Sequence, residues 1–466
     1  MPNLLATFFD LAVKHAQKTA IIWPNPAILE LTYGQLADRV ISFESYFNSL
    51  GTVKNSLALP MSSISNKNLH VILASLHQGV ALTSLPRQSS KWHLLSFIWN
   101  HKIRYLILDS NNFLIRVLCN SLGIQMLQGI ALSKNRFFKL KVLDGDTLAL
   151  ISHTSGSTDV SKPIQRTHQD LINQHEAILK IFYPQDDEID LPLFPNLLLH
   201  NLNAGVTTVV PDIPDWKLEN LEPERILKQI MRHGVTRLTG NVFYFTHLLD
   251  CIEKSSDGEF DVSTVRMIGI GGSPVPNKLL DRVSIAFQYA QLYVIYGSTE
   301  AEPIAVKEYN ASLDPLLGYC VGTIHPDIEL EIIEDDAVKN GDGDIIGEIV
   351  VSGKHVISKS SYHTGDYGYL LNNELYLVAR KDNAMTYGGY YAYQIEHYLL
   401  SKLEISQVGV IIYPNKASIH FSGFASSNRV IDCLTKIIDI QSILVEKHPF
   451  LPVDARHLSK IRYNDL

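Results

Sequence analysis

Apolar positions along the chain follow two rhythms. Near the start, Leu5, Phe8, Phe9 and Ala12 recur at three- and four-residue spacing, which predicts an amphipathic helix. From about Thr147, short unbroken apolar runs take turns with helical patterns. TLALIS (147–152) has the length and content of a buried strand. HQDLINQHEAILKIF (168–182) places Leu171, Ile172, His175, Ile178, Leu179 and Phe182 along one helical face. VRMIGI (265–270) leads into GGSPV and a helical NKLLDRVSIAF, and QLYVI (291–295) leads into YGSTE. Strand, glycine-bearing turn and helix in that order predict an α/β fold with largely parallel sheets. Such sheets take their ligands at the carboxyl ends of strands, where these turns lie.

The rhythm then changes. ELEIIEDD and DIIGEIVVSG flank the turn-rich KNGDG (339–343), the pattern of a β-hairpin. After ELYLVARKD (374–382) come a helical AYQIEHYLLSKL, strand-like VGVIIY and SIHFSG, and a helical VIDCLTKIIDI. A boundary is expected near Lys381–Asp382. Residues 1–381 would form a large N-terminal region of mixed and parallel sheets with packed helices. Residues 382–466 would form a small α+β domain.

Composition narrows the class. The chain has 466 residues, 46% of them hydrophobic and 19% charged, so it can bury a sizeable core and is not a disordered chain. The formal net charge is -8 and there is no basic block, which argues against a nucleic-acid partner. No apolar run is long enough to span a bilayer. Asp10 interrupts the apolar start and no positive region precedes it, against a signal peptide. Cys119, Cys251, Cys320 and Cys433 are scattered without a CxxC pair. The expectation is a cytoplasmic protein with buried thiols.

The stretch 154-TSGSTDVSK-162 carries the first candidate chemistry. Small residues let a backbone approach a phosphate, and clustered backbone N–H groups favour anions. Thr154, Ser155, Ser157 and Thr158 add hydroxyl donors around Gly156, and Lys162 adds a mobile positive charge. The same composition also suits a plain turn. The nucleoside-triphosphatase pattern GxxxxGK[ST] fails. Ser161 stands at its second glycine, and Pro163 stands where a magnesium-binding hydroxyl belongs.

This loop resembles the TSGSTGxPKG signature of adenylate-forming (AMP-binding) enzymes, the superfamily of acyl-CoA synthetases, peptide-synthetase adenylation domains and luciferases. Other segments resembling the family follow in its order: LTYGQLADRV (31–40), IGGSPV (270–275), YGSTE (296–300), HTGDYGYL (363–370) and ARKDNAMTYGGYYAYQIEHYL (379–399). The resemblance covers almost the whole chain and implies ATP and Mg²⁺ as cofactors. It implies that Tyr296 and Gly297 face adenine opposite Gly271, Gly272 and Ser273. It implies that Thr299 bonds the α-phosphate and that Glu300 holds Mg²⁺, a hard cation suited to carboxylate oxygens. Asp366 and Arg380 would reach the ribose, and Asp382 would be the hinge of a mobile C-terminal domain. The closing 453-VDARHLSKI-461 implies a catalytic Lys460 that enters the site from that domain.

The wording of the closing segment is most similar to the olefin-biosynthesis β-lactone synthetases. DLPLFPNLLLHNLNAGVTTVVPDIPDW (190–216) and GYCVGTIHPDIELEII (318–333) resemble the same group. The implied reaction adenylates a carboxylic acid of acyl or 3-hydroxyacyl type, followed by lactone closure or acyl transfer. Alternatives are transfer to CoA or to an acyl carrier protein, or an impaired AMP- or ATP-binding protein of the same fold. Asp159 and Pro163 support the last, because both stand where the signature has glycine. The apolar stretches 194–206 and 239–250, with Phe194, Leu197, Leu198, Phe243, Tyr244 and Phe245, are candidates for an acyl tunnel or for plain core.

Overall fold

Short strands at the carboxyl side of helices organise the first half of the chain. A computed structural model describes residues 3–24, 29–49, 51, 55–61, 64–85, 91–108, 113–127, 139–154, 162–256, 258–334, 345–357, 360–439, 442–454 and 458–466. The chain divides into two units, Met1–Arg237 and Leu238–Leu466.

In the first unit, the strands Gln125–Leu127, Tyr105–Ile107, Leu57–Pro60, Ala81–Thr83 and Leu148–Thr154 lie side by side and parallel. The edge strand Lys162–Thr167 runs antiparallel to Leu148–Thr154. A second parallel set joins Ile189–Pro192, Thr207–Val209 and Thr19–Trp23, with Leu29–Thr32 antiparallel at its edge. The expected N-terminal helix spans Ala6–Lys14 and buries Phe8, Phe9 and Ala12. These join Leu5, Tyr33, Leu36 and Phe47 in one core. The helix His168–Ile181 starts on a capping box. Thr167 Oγ1 accepts from the Asp170 N–H, and Asp170 Oδ2 accepts from the Thr167 N–H.

In the second unit, Met267–Gly271 and Gln291–Ser298 are parallel, and from Gln291–Ser298 onward each successive neighbour in that sheet is antiparallel. The order runs on through Ala301–Glu308, Tyr319–Ile324, Glu374–Arg380, Tyr362–Leu371, Gly347–Gly353 and Ile328–Ile333. The sheets are therefore mixed, with the parallel strands concentrated in the first unit. The strand Gln291–Ser298 returns directly as a hairpin, whereas strand–turn–helix grammar leads to a helix at that point. The expected hairpin of 328–353 is present, with Ile333 opposite Glu348, and its turn lies outside the described residues.

The boundary expected near Lys381–Asp382 falls at a short 3-10 helix, Lys381–Asn383, inside the second unit. Beyond it, the helix Ala392–Lys402 packs on a three-stranded sheet of Ile405–Tyr413, Lys416–Gly423 and Ile443–Lys447. Leu399, Val410, Ile419, Phe421, Val430 and Leu434 form its core. Cys119 and Cys433 are buried, while Cys251 and Cys320 are half-buried, and all four are free thiols. Among the described residues no helix is long and apolar enough to cross a membrane.

Candidate active site

The glycine turn after Met267–Gly271 is shaped by close backbone contact. A Cβ on Gly271 would lie 2.7 Å from the Ile295 carbonyl oxygen, and Gly272 has φ +87°. Only glycine meets both demands cheaply. Gly271 stands opposite Ile295 in the parallel register, so this turn and Tyr296 emerge together from two neighbouring strands. A Cβ on Gly297 would lie 2.8 Å from the Ala301 carbonyl oxygen, and the register slips between Tyr296 and Ser298. That slip re-aims the turn bearing Thr299 and Glu300, both half-buried. The Glu300 carbonyl accepts from the Ile357 N–H.

Three expected residues meet in one hydrogen-bonded group. Tyr296 Oη donates to Asp366 Oδ2 at 2.8 Å, and Arg380 Nη1 donates to Asp366 Oδ1 at 2.7 Å. Asp366 and Arg380 face each other across neighbouring strands. Thr364 supports the group from below. Its hydroxyl donates to the Ile349 carbonyl at 2.8 Å and accepts from the Asp366 N–H at 3.1 Å. Gly365 has φ +71°, and a Cβ there would come within 3.0 Å of Arg380 Nη2. Burial and then the Asp366 charge push the Tyr296 phenol well above its ordinary value, so it remains a donor. Burial alone would lower the Arg380 guanidinium, but Asp366 outweighs it and the net direction is upward. Each Asp366 oxygen keeps capacity for a further donor.

Lys460 sits on a small closing hairpin. Val453 and Ile461 form an antiparallel bridge, and Asp454 Oδ1 accepts from the Lys460 N–H at 3.3 Å. The Lys460 side chain is exposed. Its neighbour Ser459 places the hydroxyl Oγ 3.0 Å from Ser273 Oγ, on the glycine turn. Tyr463 Oη anchors the same hairpin by donating to the buried Glu396 Oε1 at 2.8 Å. The structure thus brings Gly271, Gly272, Ser273, Tyr296, Gly297, Asp366, Arg380 and the Lys460 hairpin into one neighbourhood.

Sequence reading passed over Ser459, Thr364 and Glu348. Glu348, buried, accepts from Lys381 Nζ at 2.7 Å and contacts His363 Nδ1 at 3.0 Å. It therefore holds the residue next to Asp382, which is itself exposed. Burial opposes ionisation of Glu348, yet Lys381 and His363 together bring its net value down. A carboxylate inside GEIVVSG reads as a solvent-facing strand position, and nothing local marks its partners.

The expected phosphate loop is split by the described range. Ser155, Gly156, Ser157 and Thr158 lie outside the described residues, as does Asp159. The backbone of Thr154 pairs with that of Lys162 across two antiparallel strands. Lys162 and Pro163 therefore open an antiparallel strand. The polar KPIQRT gives no strand signal of its own. Of the two candidate acyl stretches, Phe194 and Leu197 are half-buried and Leu198 is buried in the first unit. In the second unit, Phe243 is half-buried, whereas Tyr244 and Phe245 are fully buried core rings with centroids 5.3 Å apart.

A family model described as AMP-binding enzyme matches residues 8–359. The chain belongs to the AMP-binding enzyme family. This bears out the adenylate-forming resemblance read from the motifs. Among relatives, an olefin beta-lactone synthetase of Stenotrophomonas maltophilia is 30% identical over 230 residues, 46% of this chain and 40% of that protein. The 4-coumarate–CoA ligase 1 of Arabidopsis thaliana is 25% identical over 307 residues, 59% of this chain and 53% of the ligase. The chain thus matches about half or less of the length of these relatives. An ATP-bound MatB structure from Rhodopseudomonas palustris has a TM-score of 0.80 at 19% identity, covering 99% of this chain and 97% of that chain. A MenE structure from Bacillus subtilis with an acyl-adenylate has a TM-score of 0.76 at 19% identity, covering 100% and 97%. These two likenesses establish the AMP-binding enzyme fold for the chain.

Proposed function

We propose that the chain uses ATP to activate a carboxylic acid as its acyl adenylate, releasing pyrophosphate. The carrying observation is the 3.0 Å contact of the Ser273 and Ser459 hydroxyls, which brings the Lys460 hairpin to the glycine turn beside Tyr296. In this reading adenine lies between the Tyr296 ring and the Gly271–Ser273 backbone. The ribose hydroxyls donate to Asp366, which Tyr296 and Arg380 hold in place. Thr154, Ser155, Gly156, Ser157, Thr158 and Lys162 take the outer phosphates, and the Thr299 hydroxyl donates to the α-phosphate.

Glu300 suits Mg²⁺. Its carboxylate is half-buried at the turn, and no ion pair to it is found among the described residues. A hard cation prefers such an oxygen donor. When bound, Mg²⁺ would neutralise phosphate charge. The substrate carboxylate attacks the α-phosphorus as the bond to pyrophosphate breaks. The Lys460 ammonium balances the negative charge that builds on the α-phosphoryl group and the incoming carboxylate.

The substrate class we favour is a 3-hydroxyacyl chain, whose own hydroxyl attacks the adenylate and expels AMP. Proximity favours that intramolecular closure. Support comes from the wording of 453–461 and from the 30% identity to olefin beta-lactone synthetases. The second reading is transfer to a thiol of CoA or of an acyl carrier protein, favoured by the longer matches to 4-coumarate–CoA ligases. In either, residues 382–466 pivot at Asp382 between the two half-reactions.

ATP–pyrophosphate exchange with fatty, 3-hydroxy fatty, aryl and amino acids tests the reading, with Lys460→Ala and Glu300→Ala alongside. Exchange with one acid class that both variants lose supports it. A folded protein that binds AMP yet exchanges with no acid would replace it with the impaired nucleotide-binding reading.

A further inference from the structure

A second cluster of donors lies in residues 382–466, apart from the residues assigned above. His420, on the central strand Lys416–Gly423, stands opposite Glu446 on the parallel edge strand Ile443–Lys447. His448 is two residues beyond Glu446, so both project to the same face of the strand. The His448 N–H continues the ladder onto the Phe421 carbonyl. His420 Nδ1 and His448 Nε2 are 3.1 Å apart. Glu446 Oε2 is 3.6 Å from the first and 3.7 Å from the second.

These spacings have a chemical meaning. The two carboxylate distances are longer than an N–H···O bond, whose usual limit is about 3.2 Å. A tetrahedral ion with bonds of about 2.0–2.2 Å to nitrogen and oxygen separates its donors by roughly 3.3–3.5 Å. All three edges of the triangle lie close to that. The far side of His420 is also prepared. Its Nε2 meets Ser418 Oγ at 2.7 Å, and both residues are buried. An Nε2–H donated to Ser418 leaves the Nδ1 lone pair facing His448 and Glu446, the arrangement that orients a histidine ligand.

We propose that His420, His448 and Glu446 bind one divalent transition-metal ion of the Zn²⁺ class, with solvent in the fourth position. Two imidazoles and one carboxylate select borderline ions such as Zn²⁺ or Co²⁺ over Mg²⁺ and Ca²⁺. The Glu446 and His448 side chains are 46% and 32% exposed, which gives the ion a path in. The edge strand Ile443–Lys447 buries little of itself, so the ion would staple it to the central strand. This site goes beyond the adenylation reading and does not depend on it.

The test uses the full chain, stripped with chelator and desalted. Calorimetric titration with ZnCl₂ is expected to show one saturable equivalent, and CoCl₂ the intense visible bands of a four-coordinate ion. His448→Ala and Glu446→Ala change half-exposed side chains, and circular dichroism confirms that they fold. His448→Ala is expected to weaken binding at least about 100-fold, and Ser418→Ala, which touches no ion, about 10-fold. Zn²⁺ should raise the melting temperature of the wild type but not of His448→Ala. Absence of the Co²⁺ bands overturns the site, as does Zn²⁺ binding of unchanged strength in folded His448→Ala.

Discussion

Tyr296 Oη donates to Asp366 Oδ2 across 70 positions of sequence. With Arg380 on the other oxygen, each carboxylate oxygen is held by its own donor, which restrains the group's rotation. Removing a hydrogen bond to a charged group costs about 1.5–3 kcal/mol, or roughly 10- to 100-fold. Tyr296→Phe keeps the ring and loses only the donor. It is expected to weaken AMP binding about 10-fold, and Asp366→Asn about 100-fold. Equilibrium titration of AMP reads both. Equal affinity in Tyr296→Phe would mean that the tyrosine does not set the carboxylate.

Glu396 gives stability a pH dependence of known sign. Burial pushes its carboxyl up from 4.5 to about 8, against the lowering bonds from the Val410 N–H and Tyr463. The folded protein therefore keeps a proton that the unfolded chain releases above pH 4.5. The contribution is complete below that pH and is lost as pH rises to about 8. Glutamine mimics the protonated acid, and its Oε1 can accept the same two bonds. Glu396→Gln should melt close to wild type at pH 5 and several degrees above it at pH 8. Parallel melting curves for the two proteins across that range would refute the assignment.

Much of this was legible in the chain, for identifiable reasons. Met267–Gly271 and Gln291–Ser298 announced themselves as apolar runs ending in glycine, and the residues around Tyr296 and Asp366 came from motif order. What escaped was polar or distant. Lys162–Thr167 reads KPIQRT, and its strand character comes from pairing with Leu148–Thr154. Ile443–Lys447 reads ILVEK with a mostly exposed surface, too short to stand out. Ser459 meets Ser273 across 186 positions, and His420 meets His448 across 28. No local period encodes such contacts, since they arise only when sheets and hairpins bring separate segments together.

The first unit rests on a buried ionic network. Arg237 pairs with Glu188, with Asp190 at 3.0 Å and with Asn201 Oδ1 at 2.6 Å. Asn201 Nδ2 returns to Asp190 at 2.7 Å. Burial raises the Glu188 carboxyl, and Arg237 opposes that rise. Removing the guanidinium leaves two buried carboxyl groups uncompensated, a loss of about 3–5 kcal/mol. Arg237→Ala should therefore lower the urea midpoint strongly, whereas breaking the exposed Arg225–Glu222 pair should barely move it. A small shift in Arg237→Ala would show that water replaces the network.

The Ser273–Ser459 contact offers the sharpest check on the role proposed for Lys460. A neutral hydrogen bond contributes about 0.5–1.5 kcal/mol, or 2- to 10-fold. Ser273→Ala and Ser459→Ala should each slow ATP–pyrophosphate exchange by that factor. The two changes remove the same bond, so the double variant should be no slower than either single one. Lys460→Ala, which removes the charge itself, should cost about 10²- to 10³-fold. If the two serine effects multiply, the hydroxyls act separately, and the hairpin is placed by Tyr463 on Glu396 instead. Tyr463→Phe would then inherit the loss, because it frees the hairpin at its other anchor.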